Sequence, residues 1–320
     1  MIARILKGLM LLQVLAVLGL AWLLLQLPVA SWRAPLLALL LALVIVLAAR
    51  AILVLHHFWQ SRHFGSPVPP AFRLDAAGAA RLFFGEFLAG LWTSSWGMLR
   101  PRLTPLDVQA SSGLPVLLIH GYVCNRGYWT QLSRRFAQAG IVHDALDLEP
   151  IGAGIDDFLP QVQHAVQALR ARTGALQVLI VAHSMGGLVA RAYLRQYGVQ
   201  DIAHVITVGT PHHGTVLANL GLGRNARQMS RPHGQPHSWL AQLAASEPPE
   251  LRARFTSIYS HHDNIVAPQD SACLPGARNL AFGGIGHVAL ASDARILDRV
   301  IEEITIVSEV TNAISRVYPD

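Results

Sequence analysis

One serine stands between small residues at the point where a strand-like run passes into a helical one. The stretch "VAHSMGGLVARAY" (Val181–Tyr193) follows "LQVLI", and Ser184 has Ala182 two residues before it and Gly186 two after. A strand–turn–helix of this kind strains the backbone and points the serine into open space, so its neighbours must be small. The pattern predicts a nucleophilic serine. The alternative is a buried serine that caps the following helix.

A serine hydroxyl is a weak nucleophile unless a base takes its proton and a carboxylate orients that base. In this arrangement the chain order is serine, acid, histidine. Asp263 follows a strand-like run in "FTSIYSHHDNIVAP", and His287 lies in the glycine-rich turn of "NLAFGGIGHVAL". We predict Asp263 as the acid and His287 as the base.

Other residues compete for these two roles. Asp201 falls at the start of a strand, at the wrong edge of a sheet, and Asp270 lies further than Asp263 from its strand. His261 and His262 stand next to the proposed acid. We expect these two histidines to shape the acid's loop.

The reaction also needs two backbone N–H groups that face the negative oxygen of a tetrahedral intermediate. Met185, directly after the serine, is predicted to supply one, and Tyr122, in the loop after "VLLIH", the other. His120, Gly121 and His183 are placed among the substrate-binding residues. The ring of His120 is expected to hold its loop in shape and not to act in the chemistry.

From residue 115 onward, short apolar runs alternate with helix-like segments, which predicts a mostly parallel sheet with helices on both faces. The predicted strands are 116–119, 141–148, 177–182, 202–208, 255–259 and 277–281.

The first 60 residues hold two long apolar runs, Ile5 to Leu27 and Ala34 to Leu55. Each is about the ~20 residues that cross a bilayer, with Arg50 interrupting the second near its end. With residues 28–33 as a tight turn, they predict a transmembrane hairpin over residues 1–60. A cleaved signal peptide is the alternative for the first run.

Few charges set the orientation of this hairpin. Positive residues precede and follow it, and one lies in the turn: Arg4 and Lys7 before; Arg50, Arg62 and Arg73 after; Arg33 between. Counting positive charges puts both ends in the cytoplasm. The catalytic part is expected at a bacterial inner membrane, facing the cytoplasm, with the periplasm as the alternative.

Residues 61–113 form a junction. "FGSPVPP" is a linker, and Ala79 to Arg100 is apolar, with charges only at its margins and at Glu86. Trp92 and Trp96 fall on one helical face. This predicts an interfacial helix against the bilayer, or a helix packed on the globular domain.

The composition limits the classes of partner that the protein is expected to bind. The 320 residues are 52% hydrophobic and 14% charged, and the net charge of +6 comes from scattered arginines, with Lys7 the only lysine. No nucleic-acid partner, cofactor or obligate protein partner is indicated. Cys124 and Cys273 are expected as free thiols. No metal is expected, since the histidines lack the spacing of a zinc site.

Five motifs together resemble the α/β-hydrolase lipases and esterases of bacteria, the triacylglycerol-lipase-like group: "VLLIHGY", "VAHSMGGLVAR", "TVGTPHHGT", "DNIVAP" and "GIGHVAL". The resemblance covers about residues 114–303. It implies an α/β-hydrolase fold over residues 114–320, with Ser184, Asp263 and His287 as the triad. "GTPHHGT" would lead into a small cap around residues 215–250. The apolar N-terminus departs from secreted lipases.

The leading hypothesis is a membrane-anchored serine hydrolase of lipid or long acyl esters. An acyltransferase or a phospholipase could use the same triad. A membrane scaffold with a hydrolase fold and no chemistry is a more remote reading.

Overall fold

One parallel sheet forms the centre of the molecule. The computed structural model describes residues 1–26, 34–104 and 113–317. Within these ranges the strand order is β2-β1-β3-β4-β5-β6, and every neighbouring pair is parallel. The strands are β1 (Val116–Ile119), β2 (His143–Leu146), β3 (Val178–His183), β4 (Ile202–Val208), β5 (Phe255–Ser260) and β6 (Arg278–Phe282).

The parallel α/β architecture predicted from the sequence is confirmed, and most of the predicted strands lie within about a residue of the observed ones. The second strand is shorter than its predicted range of 141–148. Strands of a parallel sheet are covered on both faces, so they read as continuous Val, Ile and Leu runs. Strand β1, for example, is buried at all four positions.

Helices cover both faces of the sheet, and three further helices precede the first strand. They are α1 (Ile2–Leu25), α2 (Ala34–His63), α3 (Ala76–Trp92), α4 (Thr130–Gln138), α5 (Leu159–Thr173), α6 (Met185–Tyr197), α7 (Arg224–Gln228), α8 (Ser238–Ala245), α9 (Pro249–Arg252) and α10 (Ala294–Val317). Side chains of α5, α6 and α8 fill the core on one face of the sheet. Those of α4 and α10 fill it on the other.

The N-terminal pair α1 and α2 is long and apolar enough to cross a membrane. The helices pack through small side chains, Ala21 against Ala38 and Ala42, while most of their leucines face outward. The predicted tight turn at residues 28–33 lies outside the described residues. Helix α2 continues to His63, past the predicted end at Leu55.

Arg50 lies inside α2, which continues past the predicted end of the apolar run. Its guanidinium donates to the Gln13 side chain on α1 at 3.2 Å and to the Ser94 hydroxyl at 2.6 Å. Polar partners on neighbouring helical segments therefore bind this cation.

Helix α3 packs on the rest of the protein along one face, one of the two alternatives predicted for the junction. Asp75 caps its start by accepting the Gly78 N–H at 2.7 Å. Leu82 and Glu86 are buried against the rest of the protein, whereas Phe84 and Leu88 are exposed. The junction's residues 105–112 lie outside the described ranges.

A fully buried ion pair ties α6 to the segment between α8 and α9. Arg191 donates to Glu247 through Nε at 2.7 Å and through Nη2 at 2.5 Å, and neither side chain is exposed. Arg191 also donates to the His212 carbonyl at 3.0 Å, and Arg252 donates to Glu247 at 3.2 Å. Both charges are thus hydrogen-bonded, as a buried pair requires.

We expect Glu247→Gln to destabilise the fold by about 3–5 kcal/mol, because the variant leaves Arg191 buried beside a neutral partner. That corresponds to a fall in melting temperature of roughly 6–20 °C. Thermal denaturation of the detergent-solubilised protein measures it. The control is Arg195→Ala on the same helix, whose partly exposed pair with Asp156 should contribute no more than about 1 kcal/mol. Equal losses in the two variants would contradict the assignment.

Candidate active site

Ser184 lies at the predicted junction, between the end of β3 and the first residue of α6. Its φ of 53° is in the left-handed region that side chains other than glycine seldom adopt. Such strain persists only where the surroundings impose it. This backbone geometry is that of a strained serine turn between strand and helix.

Two glycines make this turn possible. A Cβ atom at Gly186 would lie 2.5 Å from the Ile119 carbonyl oxygen and 2.7 Å from that of His120. At Gly121 it would lie 2.9 Å from the Cβ of Ser184. The small residues around the serine are therefore required by the close approach of α6 and the β1 loop.

Asp263 and His287 form a buried hydrogen-bonded pair. The Nδ1 atom of His287 lies 2.8 Å from Oδ2 of Asp263, so Nδ1 carries the proton. The other carboxylate oxygen accepts the N–H groups of Ile265 and Val266, both at 2.8 Å. The carboxylate thus accepts hydrogen bonds from the His287 ring and from two backbone N–H groups of its own loop.

The competing acids and bases have other positions. Asp201 pairs with Arg170 at the opposite end of the sheet. Asp270 lies in a short 3₁₀ turn, Gln269–Ala272, and is exposed. The Nδ1 atom of His262 accepts the Gly284 N–H at 3.0 Å, and the His261 ring packs on Phe72.

The loop after β4 completes the surroundings of the acid–base pair. Gly209 has a φ of 59°, and a Cβ atom there would lie 2.6 Å from the Leu290 side chain and 3.4 Å from both Asp263 Oδ2 and His287 Nδ1. The positive φ and the short distance to Leu290 favour glycine at this position, next to the acid–base pair. The residue is the first of the "GTPHHGT" motif.

Of the two predicted oxyanion donors, Met185 follows the serine in the chain, and Tyr122 lines the same cavity as Ser184. Met185 is the first residue of α6, where a helix N–H has no partner within the helix. Tyr122 follows Gly121, whose backbone lies against Ser184. The Tyr122 hydroxyl also donates to the Leu222 carbonyl at 2.6 Å and so ties the loop to the predicted cap region.

A cavity of about 260 Å³ opens next to Ser184. Its walls are largely apolar, with Leu217, Ala218 and Leu220 from the 3₁₀ segment after β4. His57 and Gln60 of α2 form part of the wall. The N-terminal helix pair therefore contributes directly to the site.

His120 and His183, predicted among the substrate-binding residues, are buried rings with partners inside the protein. His120 donates from Nδ1 to the Gly121 carbonyl at 2.9 Å and accepts the Leu148 N–H at Nε2, at 3.0 Å. His183 stacks on Tyr128 with ring centroids 4.3 Å apart and contacts the His287 carbonyl. Both rings are buried, and Gly121 serves the close approach to Ser184. Their contacts hold the loops around the serine.

The thiols and the possible metal ligands are not arranged for chemistry. Cys124 and Cys273 are unpaired, and burial raises the pKa of Cys124 to about 12, which removes its thiolate at neutral pH. Within the described ranges, His, Cys, Asp and Glu side chains do not gather in a group of three that could hold a metal ion.

Glu86 is a residue of this site to which the sequence assigned no role. Its carboxylate, 2% exposed, accepts the N–H of Val288 at 3.0 Å and of Ala289 at 2.9 Å, directly after His287. A Cβ atom at Gly286 would lie 2.5 Å from Oε2 of Glu86. Burial raises the pKa of Glu86, and the two N–H donors partly oppose this. Helix α3 thus holds both sides of the loop that carries the proposed base.

Comparisons with known proteins agree with this fold. Residues 115–231 match the family model described as alpha/beta hydrolase fold. A mature lipase of Bacillus licheniformis superimposes with a TM-score of 0.54 at 16% identity, over 65% of this chain and 96% of that one. Lipase B of Aspergillus fumigatus gives a TM-score of 0.50 at 17% identity, over 62% and 54% of the two chains. The fold is therefore that of the α/β-hydrolases.

Sequence relatives of this chain are named as triacylglycerol lipases. A triacylglycerol lipase of Burkholderia plantarii is 30% identical over 132 residues, 37% of this chain and 35% of its own length. One of Pseudomonas fragi is 30% identical over 125 residues, 36% of this chain and 40% of its own. The chain thus spans well under half the length of these relatives. The comparisons support a lipase- and esterase-like α/β-hydrolase.

Asp263→Asn should lower kcat for a short-chain p-nitrophenyl ester by about 10³–10⁴-fold, because the amide cannot hold the reactive His287 tautomer. Burial alone would lower the pKa of His287, but the charge and hydrogen bond of Asp263, with Glu86, raise it overall. A general base must be neutral, so wild-type activity should fall as the pH drops through this raised pKa. In the Asp263→Asn variant, the loss of activity on the acid side of the pH–rate profile should occur at lower pH than in the wild type.

The pH–rate profile of kcat/KM measures the shift, with Asp270→Asn as control. Asp270 lies in the same region of the chain but away from the pair, so its variant should keep both rate and profile. An effect of Asp270→Asn equal to that of Asp263→Asn would contradict the assignment of Asp263 as the acid.

Glu86→Gln should lower kcat by about 10–100-fold with little change in KM, because one backbone N–H would then face an amide NH₂ and the base loop would loosen. Removing the charge also takes away part of what raises the pKa of His287. The acid limb should therefore move to lower pH. Asp75→Asn, at the cap of the same helix, is the matched control. If Glu86→Gln changes only the melting temperature, the residue merely stabilises the fold.

Proposed function

We propose that the protein is a membrane-anchored serine hydrolase that cleaves carboxylic esters. The proposal rests on one observation. Ser184 adopts a backbone conformation with positive φ at the carboxyl edge of the sheet, and the same edge bears the hydrogen-bonded His287–Asp263 pair. Relatives that are named triacylglycerol lipases support an ester substrate.

The proposed reaction has two halves. Ser184 gives its proton to Nε2 of His287 as its oxygen attacks the ester carbonyl, and the N–H groups of Tyr122 and Met185 bind the oxyanion. His287 then protonates the departing alcohol, which leaves an acyl-enzyme. A water molecule, deprotonated by His287, attacks the acyl group and restores the serine. Throughout, Asp263 holds the proton on Nδ1 and stabilises the charged ring.

The cavity favours a lipid or another long acyl ester. Its lining is mostly apolar, which suits an acyl chain and leaves few polar groups to bind a hydrophilic substrate. The contribution of α2 to that lining supports substrate capture next to a bilayer.

The N-terminal hairpin is proposed as an integral anchor in the bacterial inner membrane. A cleaved signal peptide fits poorly, since α1 packs on α2 and Arg50 takes Gln13 of α1 as a partner. The amino group of Met1 contacts Glu149 of the hydrolase domain. This contact supports a topology in which both ends of the hairpin lie on the same side of the membrane as the hydrolase domain. The positive charges at Arg4, Lys7, Arg62 and Arg73 favour the cytoplasmic side.

This proposal divides the chain into three parts. Residues 1–60 form the anchor, 61–113 the junction with its interfacial helix, and 114–320 the hydrolase domain. The cap at 215–250 contains α7 and α8 and carries the exposed Leu220 and Leu222 beside the cavity.

Ser184→Ala should abolish hydrolysis of p-nitrophenyl esters by the detergent-solubilised protein, with kcat falling by about five orders of magnitude. The chain-length profile from C2 to C16 then separates an esterase from a lipase. Ser238→Ala, an exposed serine at the start of α8, is the matched control and should keep full activity.

A fluorophosphonate probe supplies the second readout, because it reports the activated serine without any ester. Labelling of wild type but not of Ser184→Ala is expected. Labelling without hydrolysis would favour an acyltransferase over a hydrolase. Analysis of the products formed with added alcohols would then identify the transferase. Absence of both labelling and hydrolysis would refute the serine mechanism and leave the scaffold reading.

A further inference from the structure

A second and larger cavity, of about 670 Å³, lies between α2 and α3 and apart from Ser184. We call it the α2–α3 groove. Helices α2 and α3 form its sides, the linker between them closes one end, and residues of the acid loop form its floor. The lining residues used below are Leu55, Phe58, Arg62, Arg73, Leu82 and Phe83.

One end of the groove carries unbalanced positive charge. Arg62 and Arg73 both line it, and neither has an acidic partner within the part of the chain that the structure describes. Burial lowers the pKa of His261 and His262, so these rings are neutral at pH 7. The two guanidinium groups therefore set the sign of the charge that the groove attracts.

The other end is apolar and continues the outward face of the hairpin. Leu55, Phe58 and Phe83 form this wall, and Phe84 and Trp59 are exposed outside it. A bilayer's hydrocarbon core takes about 20 helical residues, which brings α2 to the neighbourhood of Leu55. Arg62 lies about 10 Å further along the helix. Arg62 is thus at headgroup level and Leu55 at acyl-chain level, and Arg73 lines the same groove.

We propose that the α2–α3 groove binds a membrane phospholipid with an anionic headgroup. The phosphate is held by Arg62 and Arg73, and the first part of an acyl chain lies along Leu55, Phe58 and Phe83. The two positive charges favour a headgroup with a net negative charge, and each guanidinium can bind the phosphate through two parallel N–H bonds. The apolar wall selects a lipid over a free phosphate ion. This inference depends on the proposed membrane anchoring.

The floor of the groove connects the lipid to the catalytic loops. Gln269 donates to the Asp263 carbonyl at 2.9 Å, and His262 accepts the Gly284 N–H at 3.0 Å, three residues before His287. The bound lipid therefore lies directly behind the loops of the proposed acid and base.

Native mass spectrometry of the full-length protein in detergent tests the proposal, with added phosphatidylglycerol or phosphatidylcholine as probes. Wild type should bind one phosphatidylglycerol about 10–30-fold more tightly than phosphatidylcholine, as two arginines at a headgroup would give. Arg62→Ala/Arg73→Ala should lose this preference. Arg62→Lys/Arg73→Lys should keep most of it.

The matched control is Arg81→Ala/Arg134→Ala, which removes two exposed arginines of α3 and α4 that do not line the groove. Its preference should equal that of wild type. An equal loss in the control pair, or equal affinity of wild type for the two lipids, would overturn the site. Displacement of phosphatidylglycerol by millimolar inorganic phosphate alone would overturn the claim that the ligand is a lipid.

Hydrolysis of a soluble C4 ester in the same samples separates this inference from the proposed function. An active protein without lipid preference refutes the groove alone. A protein that prefers phosphatidylglycerol but hydrolyses no ester supports the groove and refutes the hydrolase.

Discussion

The first turn of α6 lies so close to the end of β1 that there is no room between them for one methyl group. This contact accompanies the positive φ of Ser184 at the carboxyl edge of the sheet. The parallel order of the strands brings the loops after β4, β5 and β6 to the same edge. Gly209, Asp263 and the His287 loop therefore lie at the edge that also carries the serine.

Local sequence patterns were enough to predict most of this frame. Strands that are buried on both faces appear in the sequence as continuous apolar runs, and the serine turn appears as a serine flanked by small residues. Both patterns could be recognised within a short stretch of sequence. The acid and base were found from chain order and the loops after strands. What could not be predicted was each long-range partner. The carboxylate of Glu86 stood out as one charge in an apolar helix, and a buried charge needs partners, but the N–H groups that bind it are 202 and 203 residues away.

The histidines show the same limit. The ring of His120 could be expected to hold its loop, but its Leu148 partner could not be found from the sequence, nor could the position of the His183 ring in the protein interior. Arg50 also needed tertiary information, because its solvation comes from Gln13 and Ser94 on other elements. Composition located the N-terminal helices, whereas only the structure revealed that α2 and α3 form walls of the site and hold its loops.

The long separation between Glu86 and its two amide partners has a consequence for biosynthesis. Helix α3 leaves the ribosome about two hundred residues before the loop that it holds. The serine turn is therefore synthesised while the loop that carries His287 is still unmade. The pairing of that loop with α3 can form only after about two hundred further residues have been added to the chain.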